Sequence, residues 1–576
     1  MKDALIQHVE AAVCRLLEDA GDGGEPPACD LDRPRQKEHG DFACNVALVL
    51  GKRLSRPPRE IATALVNRLG DAGGSLERAE VAGPGFLNFW LAKDSWGDVL
   101  RAIIAAQSEY GRSQVGAGRR IQVEFVSANP TGPLSTGHGR QAVLGDCIAS
   151  LLEATGWEVT REYYFNNGGR QMRVLGESLR ARYLEALGRA APPPPPDTEA
   201  SAPEWTSVEG LPVEFPEGGY RGEYLFDLAR MLLEENGEAL VEEPGEGVFR
   251  EVAEREIFRE IRKTLDRIGV VFDEYFNERS LYDDGKLDEV LEELRQQDLV
   301  YDAEDAVWLR ATALGLDRDR VLVKRTGEPT YLLPDIAYHR EKFRRGFDLV
   351  VDVLGADHIE QFPFVRAAVA RLGCDPERLG LVMHQFVTLT RGGEKVKQST
   401  RRANFVTVDE LVDEVGEDVF RFFMIERRAD GHLDFDVDLA TDRSWKKNPA
   451  YYVQYAHART HGIERKARDN GLTMPTADGF DPGRLELSEE LALVKKLAAF
   501  PEMIERAAVT REPHHVAYYL RELAGLWNPY VQDGVRHRVL SDDAGLTGAR
   551  LGLTLAVRAV LGNGLRILGL AAPEEM

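Results

Sequence analysis

The chain has 576 residues, of which 43% are hydrophobic and 29% charged, and its formal net charge is −24 at pH 7. A soluble globular protein of about three or four domains with a sizeable core follows from that length and composition. The acidic excess excludes a polyanionic partner gathered by overall charge, although nucleic acid is bound by local patches and surplus acid discourages non-specific sticking.

Residues Met1–Ala20 mix Lys2, Asp3, Glu10, Arg15 and Glu18 among apolar positions, which is not the pattern of a signal peptide. Apolar spacing predicts helices over Ala4–Glu18, Phe42–Leu54 and Pro58–Leu69, then a strand pair around Val81–Phe89. Phe86, Asn88 and Phe89 could meet an exposed base by stacking or hydrogen bonding, or the two phenylalanines could be core. The stretch from Gln122 to Arg140 reads as a strand, a Pro/Gly-broken turn and the start of a helix. Val123 and Phe125 alternate with Gln122 and Glu124, and Leu144, Cys147, Ile148 and Leu151 share one helical face. A second strand follows over Trp157–Phe165, which makes a strand–helix–strand unit of a parallel sheet. Ligands of such sheets sit at the strand ends and the helix mouth, where unpaired N–H groups favour phosphate. Pro130 precedes that mouth, Gly137 and Gly139 would allow close backbone approach, and His138 lies between them.

The four residues Ser135-Thr136-Gly137-His138 resemble the His-x-Gly-His signature of class I aminoacyl-tRNA synthetases. Ser127-Ala128-Asn129-Pro130-Thr131-Gly132-Pro133-Leu134 before it, and Tyr163 to Met172 after it, are similar to arginyl-tRNA synthetases. His39–Asn45 and Ala82–Phe89 also resemble that family's N-terminal domain, which contacts the tRNA elbow; this makes Phe86 and Asn88 tRNA-binding candidates. The implied fold is α/β. It comprises a small N-terminal α+β domain (1–115), a Rossmann-type parallel-sheet catalytic domain with an insertion (116–445) and a C-terminal all-α helical domain (446–576).

Further along, the Pro192–Pro196 run sits in a Pro-rich insertion near 190–215 that interrupts the sheet. Gly218–Tyr224 is again a family string. Helices are predicted over Val248–Arg267 and Lys286–Gln297, and the sheet is expected to resume at Val321–Lys324, Leu349–Leu354 and Leu381–Leu389. After Val406 the pattern is helical, with Asp409–Arg427, Tyr451–Lys466, Ser488–Arg511 and Ala517–Gly534. No uninterrupted apolar run looks long enough to span a bilayer, so no membrane contact is expected. The five cysteines form no Cys-x-x-Cys pair, so no bound structural metal is expected, and a reducing, cytoplasmic setting is.

The loop Gly392 to Arg402 resembles the Lys-Met-Ser-Lys-Ser loop of the class. Lys397 and Ser399 match, while Gln398, Thr400 and Arg401 replace the other three residues. A basic loop can stabilise charge developing on the α-phosphate and pyrophosphate, and Gly392 and Gly393 would permit a hinge. The resemblance implies catalytic roles for His138, Lys397, Ser399, Arg401 and Ser135, with Ser135 giving one hydrogen bond. Lys395 or Arg402 could replace the cation lost at Thr400, or both could be solvated surface charges. ATP would contact Pro130, Gly137, His138, Gly139, Lys397, Asp357 and His358, the last two being alternatively helix caps. A guanidinium is best read by a carboxylate taking two hydrogen bonds. Asp335 with Tyr331 is assigned that task, and Glu124, Ser127 and Asn129 fall where the family contacts the rest of arginine.

Trp445 to Arg459 resembles the start of the family's anticodon-binding domain. Its interleaved aromatics and cations suit stacking beside phosphate contacts, with Tyr451, Tyr455 and Arg459, and the C-terminal Met576, as tRNA-binding candidates. An amphipathic helix with core tyrosines is the plain alternative. The resemblance implies tRNA, arginine and ATP with Mg2+ as partners, a monomer, and arginine activation that requires bound tRNA. Its rivals are a non-catalytic RNA-binding paralogue and a synthetase for another amino acid.

Overall fold

The computed structural model describes residues 2–34, 36–70, 72–167, 169–189, 215–216, 218–356, 359–396 and 406–576. The Pro192–Pro196 run, Asp357, His358, and Lys397, Ser399, Thr400, Arg401 and Arg402 lie outside them.

The N-terminal part holds helix Lys2–Asp19 and a three-stranded antiparallel sheet of β1 (Phe42–Cys44), β2 (Leu76–Ala82) and β3 (Phe86–Leu91), in the order β1-β3-β2. The helix expected from Phe42 begins only at Val46, because Phe42 to Cys44 pair with Phe89 to Leu87 and bury Phe42 and Cys44. Non-local pairing has overridden the local pattern there. Helix Pro58–Leu69 lies where its spacing placed it. Helix Lys93–Ala106 leads to the C-terminal helices, where Asn563 Nδ2 donates to the carbonyls of Gln107 and Tyr110, both at 2.9 Å. Lys2 and Arg33 both pair with Glu502, at 2.9 and 3.2 Å.

The central sheet contains β4 (Arg120–Glu124), β5 (Glu158–Phe165) and β6 (Glu274–Asn277). After β6 the chain builds a separate antiparallel sheet of β7 (Val300–Ala303), β8 (Ala306–Leu309) and β9 (Arg320–Val323). It then returns through β10 (Leu349–Gly355) and β11 (Leu379–His384). The order is β11-β10-β4-β5-β6 with every pair parallel. The strand expected at Val321–Lys324 therefore belongs to the side sheet, and β6 takes the edge of the main one. The strand expected over Leu381–Leu389 is two: β11, and β12 (Val387–Arg391), which joins β13 (Glu394–Lys395) and β14 (Leu433–Asp436) in a fourth sheet. Gly392 and Gly393, with φ of 59° and 78°, form the two-residue turn of the β12–β13 hairpin, which needs positive φ at both positions.

The long helices expected in the last third are broken. Gly416, with φ 84°, separates Val408–Val415 from Glu417–Ile425, and Ala499 separates Ser488–Ala498 from Phe500–Thr510, which has a proline in its first turn. Pro449–Asp469, His514–Gln532 and Ala544–Ile567 complete the helical part. Ala544–Ile567 is long and apolar enough to cross a membrane by length and composition, although Arg550, Arg558 and Arg566 interrupt its apolar run. In the fold 72% of its apolar window is buried, which makes it a core helix.

Helix Thr136–Ala154 presses closely on β4, since a Cβ on Gly145 would come within 2.1 Å of the Phe125 ring. β4 itself is buried on both faces, so Gln122 and Glu124 are interior residues. Helix Leu332–Arg344 meets the interior acids. Lys342 Nζ lies 2.5 Å from Glu124 Oε2 and 2.6 Å from Asp352 Oδ1, joining β4 to β10. Tyr338 Oη donates to Glu162 Oε1 at 2.5 Å, and Arg345 takes both oxygens of Glu162 at 2.5 and 2.8 Å. His339 places Nδ1 2.7 Å from the Asp335 carbonyl and Nε2 2.7 Å from Asp352 Oδ2. Both partners only accept, so both ring nitrogens carry protons and the ring is charged. Burial and the Lys342 ammonium oppose that charge, and the Asp352 carboxylate outweighs them, so the pKa lies above the ordinary 6.5. Asp352 is pushed up by burial but held well below the usual carboxylate range by Lys342 and His339.

This network can be tested by pH and by substitution. A raised histidine pKa stabilises fully below 6.5 and ceases to do so as pH climbs through the folded value. The urea midpoint should therefore fall as pH rises above 6.5, and His339→Gln should flatten that slope. Lys342→Met should cost about 3–5 kcal/mol in urea unfolding, because it leaves Glu124 and Asp352 without the counter-charge they share.

Candidate active site and nucleic-acid interface

The strand order of the sheet reverses between β4 and β10: β5 and β6 are added on one side of β4, β10 and β11 on the other, with all strands parallel. Crevices at such reversals, at the carboxyl ends of the strands, are where α/β sheets take ligands. The chain leaves β4 through Val126 and Ser127, at φ 67° and 42°. Left-handed backbone at a β-branched residue is strained, and such strain gathers at functional sites. The Ser127 hydroxyl donates to Glu124 Oε1 at 2.8 Å and accepts the Tyr164 N–H at 3.1 Å. Glu124 thus has one oxygen on Ser127 and the other on Lys342, and these two predicted arginine contacts form a braced wall. Asn129 Nδ2 donates to Gln171 Oε1 at 2.6 Å, and Pro130 beside it is buried. Tyr163 and Tyr224 fix the same loop by donating to the carbonyls of Ala128 and Thr131 at 2.6 and 2.5 Å.

Ser135 is the N-cap of helix Thr136–Ala154, and its backbone N–H donates to His138 Nδ1 at 3.3 Å. The two glycines of the motif differ. A Cβ on Gly137 would meet only the Ser135 hydroxyl, at 3.7 Å, leaving room for a ligand. A Cβ on Gly139 would meet Phe420 at 2.6 Å and Val408 at 2.9 Å, so Gly139 serves helix packing and not ligand approach.

An acidic pocket lies next to this mouth. Tyr331, 62% exposed, caps helix Leu332–Arg344, and Asp335 in its first turn accepts from Gln361 Nε2. Glu278, buried, stands at the carboxyl end of β6, where its N–H bonds the Phe165 carbonyl at 3.1 Å. Burial, then the nearby carboxylates of Glu278, Asp335 and Glu124, push the Tyr164 phenol far above its usual range. Burial, Glu278, Tyr331 and Asp335 raise Tyr282 in the same way. Glu278, Tyr282 and Gln361 were missed in the sequence, because the strand that delivers Glu278 is short and shows no clear alternation. Of the loop's basic side chains only Lys395 lies among the described residues; it is exposed on β13.

The nucleic-acid candidates separate by exposure. Phe86 is 39% exposed, whereas Asn88 is 5% exposed in the middle strand of its sheet and cannot reach a base as folded. Phe89 is core. Tyr455 stacks on Trp445 with ring centroids 4.3 Å apart. Arg459 lies over Tyr455 at 5.4 Å and donates to the Asn528 carbonyl at 2.8 Å, so its guanidinium works inside the domain. Tyr451 is half-buried against the core, and Met576 is exposed at the end of a tail bound along the Pro449–Asp469 helix, through Gln454 to the Ala571 carbonyl. A groove of about 480 Å³ opens beside this stack, lined by Lys446, Lys447, Pro449, Tyr452, Tyr518, Arg521 and Glu522.

Glu512, His514 and His515 are the one group of His, Cys, Asp and Glu side chains among the described residues whose ligating atoms converge, all within 4.8 Å. They sit at the positive end of helix His514–Gln532 with Arg428 Nε 3.7 Å from Glu512, and both charges oppose a cation.

Residues 2–91 match the arginyl tRNA synthetase N terminal domain. Residues 99–192 and 239–433 match the class I (R) tRNA synthetase catalytic domain, and 453–576 match the DALR anticodon binding domain. The chain is 50% identical over 546 residues to the arginine–tRNA ligase of Desulfotalea psychrophila, covering 95% of this chain and 94% of that one. It is 45% identical over 578 residues to that of Salinibacter ruber, covering 100% of both. The solved arginyl-tRNA synthetase of Thermus thermophilus superposes with a TM-score of 0.73 at 24% identity, over the whole of both chains. With its Ser-Thr-Gly-His helix mouth and acidic pocket at one sheet crevice, and these matches end to end, the chain belongs to the arginyl-tRNA synthetases of class I.

Proposed function

We propose that the chain joins arginine to its cognate tRNA with ATP, through an arginyl-adenylate. The observation that carries this reading is the meeting of a helix mouth suited to phosphate with a pocket of buried and half-buried carboxylates at one crevice. The arginine carboxylate attacks the α-phosphorus and pyrophosphate leaves. The 2′-hydroxyl of the tRNA's terminal ribose then takes the arginyl group and AMP leaves. Neither step needs an enzyme nucleophile, so positioning and charge stabilisation carry the catalysis.

In this reading the triphosphate lies at Gly137 and His138, beside Pro130, with Asp357 and His358 on its nucleoside side. Lys397, Ser399 and Arg401 close on the charge that develops, and Mg2+ enters held by the phosphates. Asp335 and Glu278 take the guanidinium with Tyr331 beside them, and Asn129 orients the α-amino and carboxylate end. Glu124 and Ser127 hold that end's wall. Lysine is rejected because its ammonium would leave the paired acids poorly satisfied. Phe86 meets the tRNA elbow, while the Lys446–Tyr452 groove, Tyr451 and Met576 meet its anticodon arm. The enzyme works as a monomer in the cytoplasm.

ATP–pyrophosphate exchange, run with each amino acid in the presence and absence of tRNA, should respond to arginine alone and require tRNA. Silence under every condition would sink the reading. Asp335→Asn should lower kcat/KM for arginine roughly 10- to 100-fold, the scale of one charged hydrogen bond, with the ATP KM little changed. In filter-binding assays tRNA affinity should fall steeply with salt, and Lys446→Glu with Lys447→Glu should weaken binding and flatten that dependence.

A further inference from the structure

We infer that Ser135 is a positioning residue for His138: it holds the ring with its proton on Nε2, and its own hydroxyl does not touch the nucleotide. The inference rests on the functional reading above and revises the catalytic role expected for Ser135. Ser135 has the extended backbone of an N-cap, φ −78° and ψ 165°, and its carbonyl accepts the Gly139 N–H at 3.0 Å. From the other side it pairs with Thr407 in an antiparallel bridge, and the Val408 N–H bonds the Leu134 carbonyl at 2.9 Å. The cap is thus held by two elements before any ligand arrives.

The proton arithmetic follows from donors that cannot turn round. The Ser135 backbone N–H can only donate, and it points at His138 Nδ1 from 3.3 Å. Nδ1 is therefore a bare acceptor, and a neutral ring must carry its proton on Nε2. The Ser135 hydroxyl, 3.2 Å from the same nitrogen, must donate as well. Its single hydrogen is then spent, and what remains on that oxygen is lone pairs, which repel a phosphate. At the position where the family's usual signature has an imidazole, this chain has a residue that orients the remaining imidazole and offers the phosphates no donor of its own.

Double-mutant kinetics of tRNA-dependent ATP–pyrophosphate exchange test this, with Ser135→Ala, His138→Ala and both together. Ser135→Ala keeps the backbone donor and loses the hydroxyl. It should lower kcat roughly two- to tenfold, the worth of one neutral hydrogen bond, and leave the ATP KM unchanged. In the His138→Ala background it should cost nothing further, since Ser135 acts through that ring. Ser135→Thr, another capping hydroxyl, should restore kcat. Long-range 1H–15N spectra should show His138 as the Nε2–H tautomer in the parent chain and a mixture in Ser135→Ala. An ATP KM raised by Ser135→Ala, losses that multiply in the double variant, or an unaltered kcat would each overturn the inference. A His138→Ala chain with full activity would instead overturn the placement of the triphosphate.

Discussion

The Lys342 ammonium, buried between Glu124 and Asp352, is the contact on which the crevice depends. β4 and β10 are far apart in sequence and lie side by side at the reversal point. Two carboxylates facing each other there would repel strongly in a medium of low polarisability. One ammonium between them, with the charged His339 ring on the far oxygen of Asp352, turns that repulsion into a clamp. A buried pair of this kind contributes little net stability over a hydrophobic substitute, but it is costly to leave half-made. Its value is therefore in register: Glu124 ends β4 at a fixed depth, and the strained Val126–Ser127 turn starts from that point. The helix that supplies Lys342 and His339 also carries Asp335 in its first turn, so one element both clamps the sheet and presents the acid.

Charge in this protein is organised by pocket. Glu124 and Glu162 are neutralised inside the sheet by Lys342 and Arg345, whereas Glu278 and Asp335 stand together around Tyr164 at the strand ends. In the proposed function a guanidinium entering there would meet fixed acceptors, so little reorganisation would be needed on binding. The net charge of −24 says nothing about this placement, nor about the cationic groove at Lys446 and Lys447.

The helix-mouth motif was legible because it is local: a strand, a cap and a helix start occupy consecutive residues, and their chemistry is set by neighbours in the chain. Helix Pro58–Leu69 was legible for the same reason, through a proline start and a clean apolar face. Features decided by distant partners were not. Phe42–Cys44 looks helical until Leu87–Phe89 pairs with it, and Val321 looks like a main-sheet strand until β8 claims it. Asn88 looks available until its sheet closes over it. Glu278 was invisible because β6 is four residues long with mixed exposure, so nothing in its pattern marks the acid that follows it. Gln122 and Glu124 read as polar alternates of a half-exposed strand, and only the partners supplied by a helix some 200 residues away make them interior.

The helix that opens at Ser135 also joins the site to the rest of the chain. Arg140, one turn inside it, is fully buried and donates to the carbonyls of Gln385, Arg428 and Gly431 at 2.7, 2.9 and 3.0 Å. Burial lowers its pKa to about 10 against the opposing pull of the Asp430 carboxylate, so it remains charged at neutral pH and satisfies backbone groups on two loops at once. Asp146, further along the same helix, holds Arg421 at 2.6 Å, and Arg421 in turn donates to the carbonyls of Ile268 and Leu568. Leu568 directly follows the core helix Ala544–Ile567 of the anticodon-binding part. The helix that carries His138 is thereby bolted to the part of the chain that matches the anticodon binding domain. Packed interiors deform little, so the spacing between the helix mouth and that helical domain is set by a rigid strut and not by a linker.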